Sequence, residues 1–488
     1  MSIPTSFQYQ SPPEAALKLQ YIGSRISELP APAAIIDVAV ARANCDSMLA
    51  AAENLGVSFR AHVKTHKTVE LTKLQVAAGR PARRDIRLIV STIAEIEHLL
   101  PWLLRNKKEG VNVDIVYGFP ASPSSLRRIA TFAHLLGGFS VSLIVDSAEA
   151  VDVIAKSRSL WPIGIPVFIK IDTGYHRAGV ELDSTQFKTI VDKLGKLRTE
   201  IWLRGLYSHM GNSYGGNSPA DAINGLQLEL EGLQAAGKYV SHVFDKPFDE
   251  FRRNLIYTVG ATPTATAAQN LTSDSEAALQ LRRTIGKIRK ETAANLDIEL
   301  HAGVYPLLDL QQLATHARPP SISYALGEQH RFVGLTYSSI GLRILVEVAS
   351  TYPHRVKPEA LIAAGTLALG REPCKSYPGW GVVTPWSDNL TAKKDLHDLD
   401  GNPNFYDPDQ QSGTMKGWII SRISQEHGIL TWEGPREDMR KLKIGERLLV
   451  WPNHACVAGA GFGWYFVVDS ASDDPDMVRD IWVRCRGW

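Results

Sequence analysis

The feature that most constrains the fold of this 488-residue chain is a slow alternation of apolar, β-branched runs with amphipathic helical stretches. The runs fall at 59–65, 87–92, 113–119, 141–147, 167–174, 201–211, 254–264 and 298–305, and helix-like segments such as 67–79, 93–107 and 184–197 lie between them. Strands that read as near-continuous apolar runs are buried on both faces, as in a parallel sheet covered by helices. Eight such units in about 250 residues match an α/β fold of the (β/α)8 TIM-barrel type, with an open doubly wound sheet as the competing arrangement. After about residue 320 the texture changes to short strand-like runs at 336–342, 345–352, 417–424, 429–433, 447–452 and 465–469. The pattern predicts a barrel over 30–320 and a second, mostly β C-terminal domain over 321–488 that takes in part of the N-terminal segment. The run 33–38 fits either domain. The Pro-, Gly-, Asp- and Asn-rich stretch 371–415 reads as a long insertion, and 1–29 as a segment draped on the surface or reaching a partner.

Composition narrows the function by exclusion. Lys plus Arg number 53 and Asp plus Glu 51, a net charge of +2 that leaves no bulk-charge footprint for nucleic acid. No run of about 18 apolar residues predicts a membrane span, and the N-terminus lacks the basic and apolar regions of a secretory signal. Four cysteines, Cys45, Cys374, Cys456 and Cys485, are too few for a disulfide framework in so long a chain. The expectation is a cytoplasmic protein acting on a small molecule, with neither nucleic acid nor membrane as partner.

The chemistry-bearing residues gather at the C-terminal ends of the predicted strands, where barrels build active sites. In Ala61-His-Val-Lys-Thr-His-Lys67, Lys64 ends the first strand. A lysine desolvated there has a lowered amine pKa and suits a Schiff base, although a solvated strand-end lysine would look the same in sequence. Thr258-Val-Gly-Ala-Thr-Pro-Thr264 and Ala302-Gly-Val-Tyr305 end the seventh and eighth strands with small residues, hydroxyls and free amides. Those are the parts of a phosphate nest, and equally of ordinary turns. Together with Lys64 they point to a phosphate-bearing aldehyde, pyridoxal 5'-phosphate (PLP). His454-Ala-Cys456 spaces an imidazole and a thiol two residues apart, on one face if the segment is a strand. That donor pair prefers zinc and leaves coordination positions open. His62 and His209 are further rim candidates, while His66 falls in the turn after Lys64.

In this order the motifs resemble the fold-type III PLP enzymes with alanine-racemase-like barrels, and within them the D-serine dehydratase and D-threonine aldolase group. The resemblance rests on Lys-Thr-His-Lys-Thr at 64–68, Lys-Ile-Asp-Thr-Gly-Tyr-His-Arg-Ala-Gly at 170–179, Ser-His-Met-Gly-Asn-Ser-Tyr at 208–214, Val-Gly-Ala-Thr-Pro-Thr at 259–264 and Pro-Asn-His-Ala-Cys at 452–456. It implies that Lys64 carries the cofactor and, once freed, takes the Cα proton. It places Arg177 near the cofactor, Tyr207 and Tyr214 against its ring or phosphate, and Thr262, Gly303 and Val304 at the phosphate, the last two through backbone N–H. It makes His454 and Cys456 a catalytic zinc pair that stabilises departing hydroxide, so that D-serine yields pyruvate and ammonia. It also implies a homodimer in which the β domain of one subunit lies near the barrel mouth of the other. The chain is longer than the group's pattern, with 371–415 as the excess, and Gly365-Thr366 departs from it locally.

Three alternatives stay open at this point. A metal-dependent D-threonine aldolase would share the cofactor but break Cα–Cβ; the His/Cys pair, rather than His with a carboxylate, favours the dehydratase. A racemase would need a second base and no metal. A PLP carrier would need only the barrel.

Overall fold

Eight of the apolar runs form a closed parallel barrel in the computed structural model, which describes residues 10–78, 85–244, 255–271, 275–291, 296–320, 333–386, 404–409 and 415–488. A first strand, β1 (Ala33–Asp37), precedes the barrel and belongs to a separate sheet. The barrel strands are β2 (Ser58–His62), β3 (Asp85–Val90), β4 (Asn112–Tyr117), β5 (Val141–Val145), β6 (Ile165–Lys170), β7 (Ile201–Tyr207), β8 (Leu255–Val259) and β9 (Leu296–Ala302), closed by parallel pairing of β9 with β2. Helices such as Ile93–Lys108, Thr185–Lys196 and Pro219–Val243 follow their strands and cover the outside.

Strand alternation sorts the barrel interior into layers. Ser58, Arg60, His62 and then Lys64 share one parity along β2, and Asp297, Glu299, His301 and Gly303 share one along β9. The lowest of these make a buried ion network. Arg60 donates from Nε to Glu299 at 2.6 Å and from Nη1 to Asp114 at 3.0 Å, Arg204 donates to Asp114 at 3.0 Å, and Arg87 bridges Asp297 and Glu299. Next comes an apolar layer of Ile89, Val116, Ile144, Phe168 and Ile256. The upper members, His62, Lys64, His301 and Gly303, face the C-terminal mouth.

The remaining strands are β10 (Leu342–Tyr352), β11 (Glu359–Ile362), β12 (Gly381–Val383), β13 (Gly417–Ile423), β14 (Gly428–Glu433), β15 (Arg447–Pro452), β16 (Trp464–Val468) and β17 (Asp480–Val483). With β1 they form one mostly antiparallel sheet in the order β11-β14-β13-β12-β15-β10-β1-β16-β17. The segment 33–38 therefore enters this sheet, pairing with β10 and β16. The expected strand at 336–342 is instead a 3-10 turn, Tyr337–Ser339. Its Ser339 hydroxyl bonds the Thr336 carbonyl at 2.6 Å and takes the Thr336 amide at 3.1 Å, local bonds that compete with a strand ladder. The stretch 371–415 is not simply a loop: β12 sits between β13 and β15, and Phe405 packs on Tyr337 and Trp451. Residues 387–403 and 410–414 of that stretch lie outside the described residues. Of the N-terminal segment, helix Glu14–Tyr21 docks on the sheet: Leu17, Ile26 and Leu29 are buried, Lys18 pairs with Asp480 and Arg25 with Asp474. Among the described residues no helix is long and apolar enough to cross a membrane.

Candidate active site

A cavity of about 310 Å³ opens at the C-terminal mouth of the barrel. Lys64, His62, His209 and His301 line its barrel side, and His454 and Cys456 line it from the sheet side. Arg177, Tyr214, Thr262, Gly303 and Val304 also line it, so the structure gathers eight of the nine residues expected from sequence. The ninth, Tyr207, lies behind the wall, its ring stacked on His301 at 4.5 Å.

The turn after β2 gives each residue of Lys64–Thr68 a separate task. Lys64 faces the cavity, and Thr65 Oγ1 lies 3.1 Å from the Cys456 sulfur. His66 turns away: its Nδ1 accepts the Thr68 amide at 3.1 Å and its Nε2 faces Gln75 Oε1 at 2.9 Å. Lys67, with positive φ, pairs with buried Glu95 at 2.9 Å. Thr68 caps the helix Val69–Gln75 by accepting the Leu71 amide. The helix start therefore fixes the register that sends Lys64 inward.

The imidazoles around Lys64 are held neutral. Burial, then the charge of Lys64, keeps His62 well below its ordinary value. Burial, then Lys64 and Arg177, brings His209 down to about 3, and burial likewise keeps His301 low. His209 Nδ1 donates to the Gly260 carbonyl at 2.8 Å, which leaves its Nε2 without a proton. His301 Nδ1 meets Thr258 Oγ1 at 2.9 Å, while its Nε2 is buried without a partner among the described residues. A second lysine, Lys170, is buried below the mouth with its ammonium 5.5 Å from the Tyr207 ring, and burial, then Arg177, lowers it to about 8.

Hydroxyls and amides also converge on the cavity. The Val304 amide donates to Thr262 Oγ1 at 3.2 Å, and Tyr214 bonds Thr262 and Gln312. Arg177 stacks on Tyr175, its guanidinium 5.0 Å from the ring centre.

His454 and Cys456 meet through a strand-to-helix turn, not through the alternation of a strand. His454 is extended after β15, and Cys456 lies in the first turn of the helix Ala455–Ala460. Asp309 holds that turn, accepting the Ala455 amide at 2.8 Å and the Gln312 amide at 2.9 Å. Asn453 anchors it from below: it accepts the Tyr377 hydroxyl at 2.5 Å and donates to the Glu372 and Gly379 carbonyls. Burial opposes charge on His454, but the neighbouring Cys456 sulfur outweighs it and holds the imidazole up at about 9. Burial also raises the Cys456 thiol, and His454 brings it below its ordinary value. The two side chains favour charge on each other, and His454 Nδ1 is buried and unpartnered among the described residues. It belongs to the same chain as the Lys64 it faces. Elsewhere, Asp172, His176 and Glu181 bring three ligand atoms within 4.8 Å, but Asp172 is occupied by the amides of 174–176.

Sequence reasoning did not single out His301, Gln311, Glu372 or Lys375, all of which line the cavity, nor Glu229 behind it. His301 had a signal, the parity it shares with Glu299 and Gly303. Glu372 and Lys375 had none, because they come from the stretch read as an insertion.

Two family models match separate parts of the chain. The family model for the alanine racemase N-terminal domain matches residues 36–243, and that for a serine dehydratase domain matches 341–468. D-serine dehydratase of Schizosaccharomyces pombe is 30% identical over 479 residues, covering 97% of this chain and 95% of that protein. D-serine dehydratase of Saccharomyces cerevisiae is 31% identical over 485 residues, covering 96% and 99%. Among solved structures, a cysteine-to-alanine variant of D-threo-3-hydroxyaspartate dehydratase, described as the metal-free form, is similar with a TM-score of 0.67 at 26% identity, covering 95% of this chain and 100% of that one.

Proposed function

Because the chain belongs to the D-serine dehydratase family, lyases built on an alanine-racemase-like barrel, we propose that it is a PLP- and zinc-dependent enzyme that converts D-serine to pyruvate and ammonia. The observation that carries this reading is one cavity with the Lys64 amine on its barrel side and the His454/Cys456 pair on its sheet side. The residues fit both groups. PLP needs an amine and a set of phosphate donors; Lys64 is the amine, the Tyr214 and Thr262 hydroxyls with the Gly303 amide are the donors, and the Val304 amide, expected as a further donor, is instead given to Thr262 Oγ1. Zinc needs imidazole and thiolate; Cys456 is drawn toward thiolate, and His454 offers a buried nitrogen with no other partner among the described residues. Bound there, PLP supplies a sink for the electron pair left on Cα, and zinc supplies a Lewis acid for the departing hydroxide.

The chain's own residues do the rest. The Lys64 amine holds the cofactor and, once free, removes the Cα proton. The neutral His62, His209 and His301 surround it without adding positive charge. Thr65, Asp309 and Asn453 keep the metal pair turned toward the cavity. The Cα–H and Cβ–O bonds break, a C=C bond forms, and the resulting enamine hydrolyses. The working unit is read as a homodimer in the cytoplasm, in keeping with four free thiols. The experiment is a pyruvate assay on purified protein with D-serine, L-serine and D-threonine, with and without chelator. Pyruvate from D-serine that disappears with chelator and returns with zinc supports the reading. Glycine and acetaldehyde from D-threonine, with no pyruvate from D-serine, would replace it with an aldolase.

A further inference from the structure

The outer helix Pro219–Val243 carries Gly225, Glu229 and Gly232 at spacings of four and three, one stripe facing the barrel rim. Both glycines permit close approach. A Cβ at Gly225 would lie 2.9 Å from Thr264 Cγ2, and one at Gly232 would lie 2.9 Å from Thr173 Cγ2. Between them the Glu229 carboxylate is fully buried and takes four donors. Its Oε1 accepts the Ser208 hydroxyl at 3.1 Å, the Met210 amide at 2.9 Å and the Gly260 amide at 3.1 Å, and its Oε2 accepts the Thr264 hydroxyl at 3.0 Å. Ser208 also bonds Thr173 at 2.7 Å.

These donors come from two rim loops with different cargo. Ser208 and Met210 flank His209; Gly260 and Thr264 bracket Thr262. His209 closes the same ring by donating to the Gly260 carbonyl. The centre needs one acceptor oxygen facing Ser208, Met210 and Gly260, which the Glu229 Oε1 supplies. We propose that Glu229 is a positioning residue that fastens the loop after β7 to the loop after β8 and so shapes the seat of the cofactor's phosphate. It does not line the cavity, and it acts through Thr262 and His209. This rests on the PLP reading above.

The test titrates the apoprotein and its Glu229→Ala and Glu229→Gln variants with PLP and with pyridoxal, which lacks the phosphate. Glu229→Ala is expected to weaken PLP by about ten-fold or more, the scale of one charge-assisted hydrogen bond. Its affinity for pyridoxal should stay within about two-fold, on the same arithmetic. Glu229→Gln keeps an acceptor for Ser208, Met210 and Gly260, and should hold PLP within about three-fold of wild type. Unchanged PLP affinity in Glu229→Ala, or equal losses of PLP and pyridoxal, overturns the proposal. Should Glu229→Ala fail to fold, Thr264→Val removes one donor alone and must show the same phosphate-selective loss. A wild-type protein that takes up no PLP overturns the cofactor reading and this proposal with it, whereas wild-type binding with an indifferent Glu229→Ala overturns this proposal alone.

Discussion

Replacing Arg60 with methionine tests whether the ion network under the cavity holds the barrel together. Three guanidinium groups, Arg60, Arg87 and Arg204, face three carboxylates, Asp114, Asp297 and Glu299, so the layer is neutral as a set. Arg60 and Glu299 are fully buried and joined through two bonds, 2.6 and 3.1 Å. Methionine fills much of the volume but leaves one surplus negative charge in a dry interior. Breaking a buried pair from one side costs about 3–5 kcal/mol, whereas removing both partners can be far cheaper. Urea unfolding at neutral pH of Arg60→Met, Glu299→Met and the double variant reads both quantities. The double variant should recover about 1–3 kcal/mol relative to the sum of the singles. A pH series adds a sign. Burial works to raise Asp114, but Arg60 and Arg204 outweigh it and hold the carboxyl well below its ordinary 3.8. In the wild type its contribution is therefore present above pH 3.8 and is lost as pH falls through the depressed value. Without Arg60 the Asp114 carboxyl rises, so the deficit of Arg60→Met should narrow as the solution is acidified from neutrality. An Arg60→Met protein within about 1 kcal/mol of wild type, or strict additivity in the cycle, would refute the reasoning.

Two further outcomes follow from the rim. Burial raises Glu229 from 4.5 to about 7, so the folded state holds its proton more tightly than the unfolded state and wild-type stability falls as pH rises between those values. Glu229→Gln removes that slope: its stability relative to wild type should grow by roughly 3 kcal/mol from pH 4.5 to 8 in paired melts, and a constant difference would contradict it. Thr65→Val removes the hydroxyl at the Cys456 sulfur and should weaken zinc by about ten-fold in competition with a chromophoric chelator. Zinc affinity equal to wild type would show that Thr65 does not support the pair.

The parts legible in the sequence are those where one periodicity dominates. All eight barrel strands announce themselves because both faces are buried, and Lys64, Thr262 and Gly303 announce themselves by ending such strands. The sheet was legible where its strands are long, as at 447–452, but not at Glu359–Ile362, Gly381–Val383 or Asp480–Val483, where three or four residues carry too little pattern. Helix Glu14–Tyr21 buries only Leu17, so its docking depends on Asp480 far along the chain. Glu229 stayed hidden for a different reason. A single acid in Leu226-Gln-Leu-Glu-Leu-Glu-Gly232 looks like one of two surface glutamates, and only the approach of two rim loops turns it inward. His454 and Cys456 were found as a pair, but their meeting depends on the helix beginning at Ala455, not on strand alternation.

Lys64, and not its buried neighbour Lys170, is proposed to hold the cofactor. Borohydride fixes an aldehyde cofactor to the amine that carries it, so the most direct measurement is peptide mass mapping of the reduced holoenzyme. A phosphopyridoxyl mass is expected on the peptide containing Lys64, and its loss is expected in Lys64→Arg. The same mass on the Lys170 peptide, or on none, would contradict it.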